Sequence, residues 1–230
     1  MQLFASQSPI RSLFLLFSAL PLISAAPASN SSTSSLEARK LTPELAAFNE
    51  KINAAQLVIY PDQEDYMDFT TPGYKSLASD AFGGGIGAVI VSRKGAIAGH
   101  YTMNTASMKQ AKTKLQKLYK THAKDLQGAV ALVYVQVKTA KTHQYVNKDL
   151  TLQFIGIVKE IAGKEPQVLT YIEALDVWYD KNGMPLSSQP DLENLRTGAL
   201  LIESSGGGNS RPALTFLDIE TIKESGEPIV

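Results

Sequence analysis

The chain has 230 residues, with 22 lysines and arginines balanced by 22 aspartates and glutamates, a neutrality that excludes a net field drawing it to nucleic acid or a membrane surface. It contains no cysteine, which excludes disulfides, thiolate nucleophiles and sulfur-ligated zinc. The histidines, His100, His122 and His143, stand at no metal-ligating spacing, so no metal and no cofactor is expected.

Residues 1–28 read as a secretory signal peptide. Arg11 precedes an apolar run over 13–23, and small residues follow over 24–28, where Ala26-Pro27-Ala28 fits the A-x-A cleavage pattern and a cut after Ala25 is the alternative. The run is too short to span a bilayer, which needs about twenty apolar residues. Residues 29–40 form a serine-rich leader with no apolar periodicity, expected to be disordered, in which Asn30 opens a glycosylation acceptor. The protein is therefore expected to be secreted and extracellular, with 41–230 as a single globular domain.

Thr42-Pro43-Glu44-Leu45 marks a helix start, and Leu45, Phe48 and Ile52 space its apolar face. A short strand over 56–60 stops at Pro61. Residues 61–82 then read as a long connection carrying acids (Asp62, Glu64, Asp65, Asp68) and three aromatics, Tyr66, Phe69 and Tyr74. Aromatics on such a loop either anchor a partner or pin the loop to its own core.

Over 83–103 a glycine-rich lead-in opens a strand at 86–92, Arg93-Lys94-Gly95 turns it, and a second strand at 96–101 carries His100. A phosphate loop needs a helix N-terminus behind its glycines. A strand follows here instead, so the glycines read as sites of close backbone approach.

A helix capped at Asn104 or Thr105 and running to about residue 126 turns Met108, Ala111 and Leu115 to the core. Its other face carries Lys109, Lys112, Lys114, Lys117, Lys120 and Lys124, with no acid until Asp125. Either that face is simply solvated, or it meets an acidic protein or an anionic polymer.

A near-continuous apolar strand at 129–137, a helix at 148–162 ended by Gly163, and a strand over 167–174 come next. A second loop spans 180–197, and strands at 198–203 and 212–219 close the chain around Gly206-Gly207-Gly208. This order predicts a mixed α/β (α+β) single domain in which a mixed β-sheet is layered with two long helices.

No G-x-S-x-G is present, and nothing singles out a carboxylate pair such as Asp176 and Asp180 for glycosidase chemistry. The glycine-led strand, the turn, the strand ending in Gly99-His100-Tyr101-Thr102-Met103 and the helix behind it resemble the chemoreceptor glutamine deamidases, the CheD family. Gly206-Gly207-Gly208-Asn209-Ser210-Arg211 before an apolar strand is similar to that family's glycine-rich turn followed by arginine. The resemblance implies a deamidase fold with His100 at the position of the catalytic histidine. Where the family places its cysteine, however, this chain reads Ile86-Gly87-Ala88. A thiolate attack on an amide needs that sulfur, so the expected protein is not an enzyme and His100 is structural.

The serine-rich leader, glycine-rich strand and lysine helix also resemble small secreted proteins of filamentous fungi, many of which act as effectors on a host. That likeness implies a virulence factor that binds a host or extracellular protein, with a papain-like cysteine protease as a target to inhibit. The residues expected to face such a partner are Tyr66, Phe69, Tyr74, Lys112, Lys117 and Lys120. Two alternatives stand beside it: a secreted hydrolase or amidase with its site around His100, and a binder of an anionic polymer through the lysine helix.

Overall fold

The computed structural model describes residues 42–138, 144–172, 198–218 and 221–224. The expected signal peptide, the leader with Asn30, His143 and the 180–197 loop lie outside the described residues. Helix α1 (Pro43–Asn53) begins as its cap predicts: the Thr42 hydroxyl accepts the Leu45 amide at 3.2 Å and Pro43 fills the first turn. Strand β1 (Leu57–Ile59) follows.

The stretch expected to be a long connection is mostly strand: β2 (Gln63–Asp68) and β3 (Pro72–Ser79). Its acids concealed β2 because that strand lies at a sheet edge, where only Glu64, Tyr66 and Met67 are partly covered. The opening stretch forms β4 (Gly85–Val91) and β5 (Gly95–Thr102), paired antiparallel with Gly87 opposite His100. Then come α2 (Thr105–Thr121), capped by Asn104, β6 (Val130–Val137), α3 (Lys148–Ala162) and β7 (Gln167–Ile172). Strands β8 (Leu200–Gly206), β9 (Ala213–Asp218) and β10 (Thr221–Glu224) complete the described chain. No sequence pattern announced β10.

The mixed α/β class and the two long helices stand as expected. The strands, however, divide between two mixed sheets, ordered β1-β3-β8-β9-β10 and β2-β5-β4-β6-β7. Alternation along each strand explains the layering. Val89, Val91, Ala96, Ala98, Leu132 and Tyr134 of the second sheet meet Leu77, Leu200, Ile202 and Phe216 of the first, so the sheets pack face to face. The opposite parity, including Ile86, Ile90, Ile97, Val133 and Val135, packs under Met108, Leu115, Phe154 and Val158 of α2 and α3. On the far side, Leu45, Phe48 and Ile52 of α1 cover Ala78 and Leu201 of the first sheet. The result is four layers, α–β–β–α. β6 is buried on both faces, as its near-continuous apolar sequence predicts.

The β8–β9 turn makes a testable contrast. Gly206 has φ +74, and a Cβ there would run into the backbone carbonyls of Thr71 and Gly73, whereas at Gly207 (φ +77) a Cβ would meet nothing within 4 Å. Gly206→Ala is expected to lower stability by roughly 1–3 kcal/mol and Gly207→Ala by less, since only the dihedral strain is shared. Urea unfolding of the two variants checks this; equal losses would show that the backbone approach is irrelevant.

Candidate functional site

His100 points between the two sheets because it shares the parity of Ala96 and Ala98, the residues of β5 that join the inter-sheet core. It is 2% exposed. Three neighbours define its surroundings. Ser79, from the end of β3 in the other sheet, places its hydroxyl 3.3 Å from Nδ1. The Phe82 ring, from the β3–β4 connection, stacks on the imidazole with centroids 4.0 Å apart and planes 25° apart. Asp62, in the turn before β2, holds the end of β5 two residues beyond His100, at Thr102: its carboxylate accepts the amide at 3.0 Å and the hydroxyl at 2.9 Å.

The glycines that open β4 make this stack fit. A Cβ on Gly87 would lie 2.7 Å from Phe82 Cε1, and one on Gly85 would lie 2.7 Å from His100 Nε2. Tyr134 meets the Phe82 ring edge-on at 4.9 Å, and the Tyr171 hydroxyl sits 2.7 Å from the carbonyls of both Phe82 and Gly85, sharing its proton between them. Phe82 is thus clamped in place.

The proton inventory fixes the direction of the Ser79–His100 hydrogen bond. The Ser79 hydroxyl donates its one proton to the Ile59 carbonyl at 3.0 Å, so it accepts from His100 Nδ1–H. A serine nucleophile needs the reverse direction, with histidine taking the hydroxyl proton. Burial pulls the His100 pKa down to about 4, against a weaker opposing pull from Asp62, and the ring is neutral at physiological pH. Burial pushes the Asp62 carboxyl upward, but the hydrogen bonds from Thr102 and Ser107 outweigh it and leave the group below its ordinary value. On the helix side of β2 and β5, burial raises the Glu64 carboxyl, with Lys114 3.5 Å away as its opposing charge.

The residues expected to face a partner separate widely. Phe69 is wholly buried in the inter-sheet core and has no surface to offer. Tyr66 stacks on His122, centroids 3.5 Å apart, and its hydroxyl reaches Asp125 at 3.4 Å. Tyr74 stays 54% exposed, its hydroxyl donating to Glu203 at 2.7 Å, while Glu203 also takes Lys51 at 3.0 Å. Lys112 is paired with Glu160 of α3 at 2.7 Å, whereas Lys117 and Lys120 are exposed on α2. Sequence reasoning found His100 but missed Ser79 and Phe82 as its neighbours. Alternate glycines at 85 and 87 signal that something large lies opposite, without saying which residue supplies it.

No family model matches the chain, and no curated protein aligns with it significantly. Among the described residues, no three His, Asp or Glu side chains are grouped to hold a metal ion, and no helix is long and apolar enough to cross a membrane.

Proposed function

We propose that the protein is a secreted, non-catalytic binding protein: a CheD-like frame without its attacking atom, acting as a fungal effector that occupies a host extracellular protein of the papain-like cysteine protease class. The observation that carries the non-catalytic reading is the Phe82 ring. It fills the space beside His100 into which a side chain at position 87 would project, and position 87 is glycine. The serine within reach has its proton committed elsewhere. Secretion rests on the N-terminal signal pattern.

Of the three aromatics, Tyr74 suits partner binding. Its ring is exposed, and the Glu203–Lys51 pair holds its hydroxyl, so little side-chain freedom is lost on docking. Biosensor binding to papain and to proteases captured from host extracellular fluid tests the reading. Tyr74→Ala is expected to weaken binding about tenfold or more, and His100→Asn to leave it unchanged. Two outcomes count against the proposal: no protease bound by the wild type, or ammonia released from glutamine peptides by the wild type and not by His100→Asn.

A further inference from the structure

Helix α2 is the one described helix with no acidic residue. It carries Lys109, Lys112, Lys114, Lys117 and Lys120, and its first turn lacks the acid that would favour a helix start. Like charges recur three residues apart at 109/112, 114/117 and 117/120, a spacing that destabilises a helix. The fold compensates only part of this charge. Lys112 pairs with Glu160, and Lys114 pairs with Glu64 and donates to the Asp62 carbonyl at 3.3 Å. Lys109, Lys117 and Lys120, with Lys124 just beyond the helix, are exposed and have no ion-pair partner among the described residues.

The fold also extends this row with residues distant in sequence. α2 packs along β5 and runs back toward the β4–β5 turn, where Arg93 and Lys94 are exposed. The Ser92 hydroxyl donates to the Asp125 carbonyl at 2.5 Å, tying that turn to the segment just after α2. Arg93 therefore lies near Lys124, whereas the Lys94 stem lies beside Gly208 of the β8–β9 turn. Two acids lie at this end of the row: Asp125, half-buried with its carboxylate on the Tyr66 hydroxyl, and Asp68, exposed and opposite Gly95 on the edge strand. Lys109 and Lys120 are about 16 Å apart along the axis at 1.5 Å per residue, and the turn prolongs the track.

We infer that this track, Lys109–Lys117–Lys120–Lys124 continued by Arg93, is a binding site for an acidic polysaccharide, a linear polymer with repeated carboxylate or sulfate groups. The rings interspersed with these lysines are partly buried, Tyr119 against the core beneath the helices and His122 stacked on Tyr66, so the fully exposed positions of the row are point charges, which match evenly spaced anions. A protein partner would call for aromatic anchors, and single-stranded nucleic acid for rings on which bases stack. The choice of polysaccharide over nucleic acid also rests on the extracellular location proposed above; the basic track itself does not depend on it.

The test uses the purified protein on immobilised heparin and polygalacturonate, with duplex DNA in parallel, across a salt series. The wild type is expected to bind a polysaccharide with an affinity that falls steeply with salt. Replacing Lys109, Lys117, Lys120 and Lys124 together by glutamine should weaken binding at least about tenfold and flatten the salt dependence, with the thermal melt preserved because glutamine keeps helix propensity. Arg93→Gln should give a smaller loss of the same kind. Lys75 and Lys223, which lie on the other sheet, should be replaceable by glutamine without effect. Equal loss from that control set, salt-insensitive binding, or binding to DNA alone would each overturn the inference. Failure of secretion would show separately, as protein retained in the cells, and would leave the polysaccharide measurement readable.

Discussion

Acidification from about pH 7 to about pH 4 is expected to cost the protein about 3 kcal/mol of stability through His100 alone. The folded pKa is held at about 4 by burial, below the ordinary 6.5, so the unfolded chain binds the proton first. The penalty is absent above the unfolded value and grows as the pH falls through 6.5 toward the folded one. Asp62, held low by its hydrogen bonds to Thr102 and Ser107, adds a loss of the same sign at the acid end of that window. Glu64, raised by burial, opposes it because its folded form takes up a proton more readily. Comparing the wild type with His100→Asn isolates the imidazole. The difference between their melting temperatures should shift by roughly 6–12 °C between the two pH values. Parallel pH profiles would show that the imidazole is protonated inside the fold without cost.

Phe82→Ala should be among the most damaging single truncations, at about 3–5 kcal/mol, because the ring is fully buried against His100, Tyr134 and Tyr171. Gly87→Ala should cost about 1–3 kcal/mol by forcing a methyl against the ring edge 2.7 Å away. The two sites share one space, so Gly87→Ala should cost about 1 kcal/mol less in a Phe82→Leu background than in the wild type. Urea unfolding of the four proteins measures that coupling, and additivity would mean the ring does not set the requirement for glycine. The same coupling bears on activity. A thiol placed at position 87 beside His100 would need the ring displaced first, so Gly87→Cys alone should destabilise the fold without creating a deamidase.

Local signals were legible wherever one element carried them. Thr42-Pro43 marked the start of α1, and the apolar run of β6 announced a strand covered on both faces. The lysine row was visible as a row. What escaped was whatever depended on a second element. Glu64, Asp65 and Asp68 masked β2, since an edge strand meets water along one side and keeps only partial apolar alternation. The division into two sheets was hidden because alternation tells which residues face inward, not which strands share a ladder. Ser79 and Phe82 reach His100 from the opposite sheet and its connection, and no spacing along the chain encodes that meeting. The pairing of Lys112 with Glu160, and the nearness of Arg93 to the end of α2, were hidden for the same reason.

Consecutive strands β2 and β3 belong to different sheets, and β3 finds its antiparallel partner only in β8, Leu77 opposite Ile202. A nascent chain therefore holds β3 with an unmatched edge until most of the polypeptide has been made. Such distant pairing gives a high contact order, for which refolding takes on the order of milliseconds to seconds. Truncation before β8 should leave an aggregation-prone fragment in place of a smaller folded protein, because the first sheet would lose its middle strand and the inter-sheet core the residues that line it.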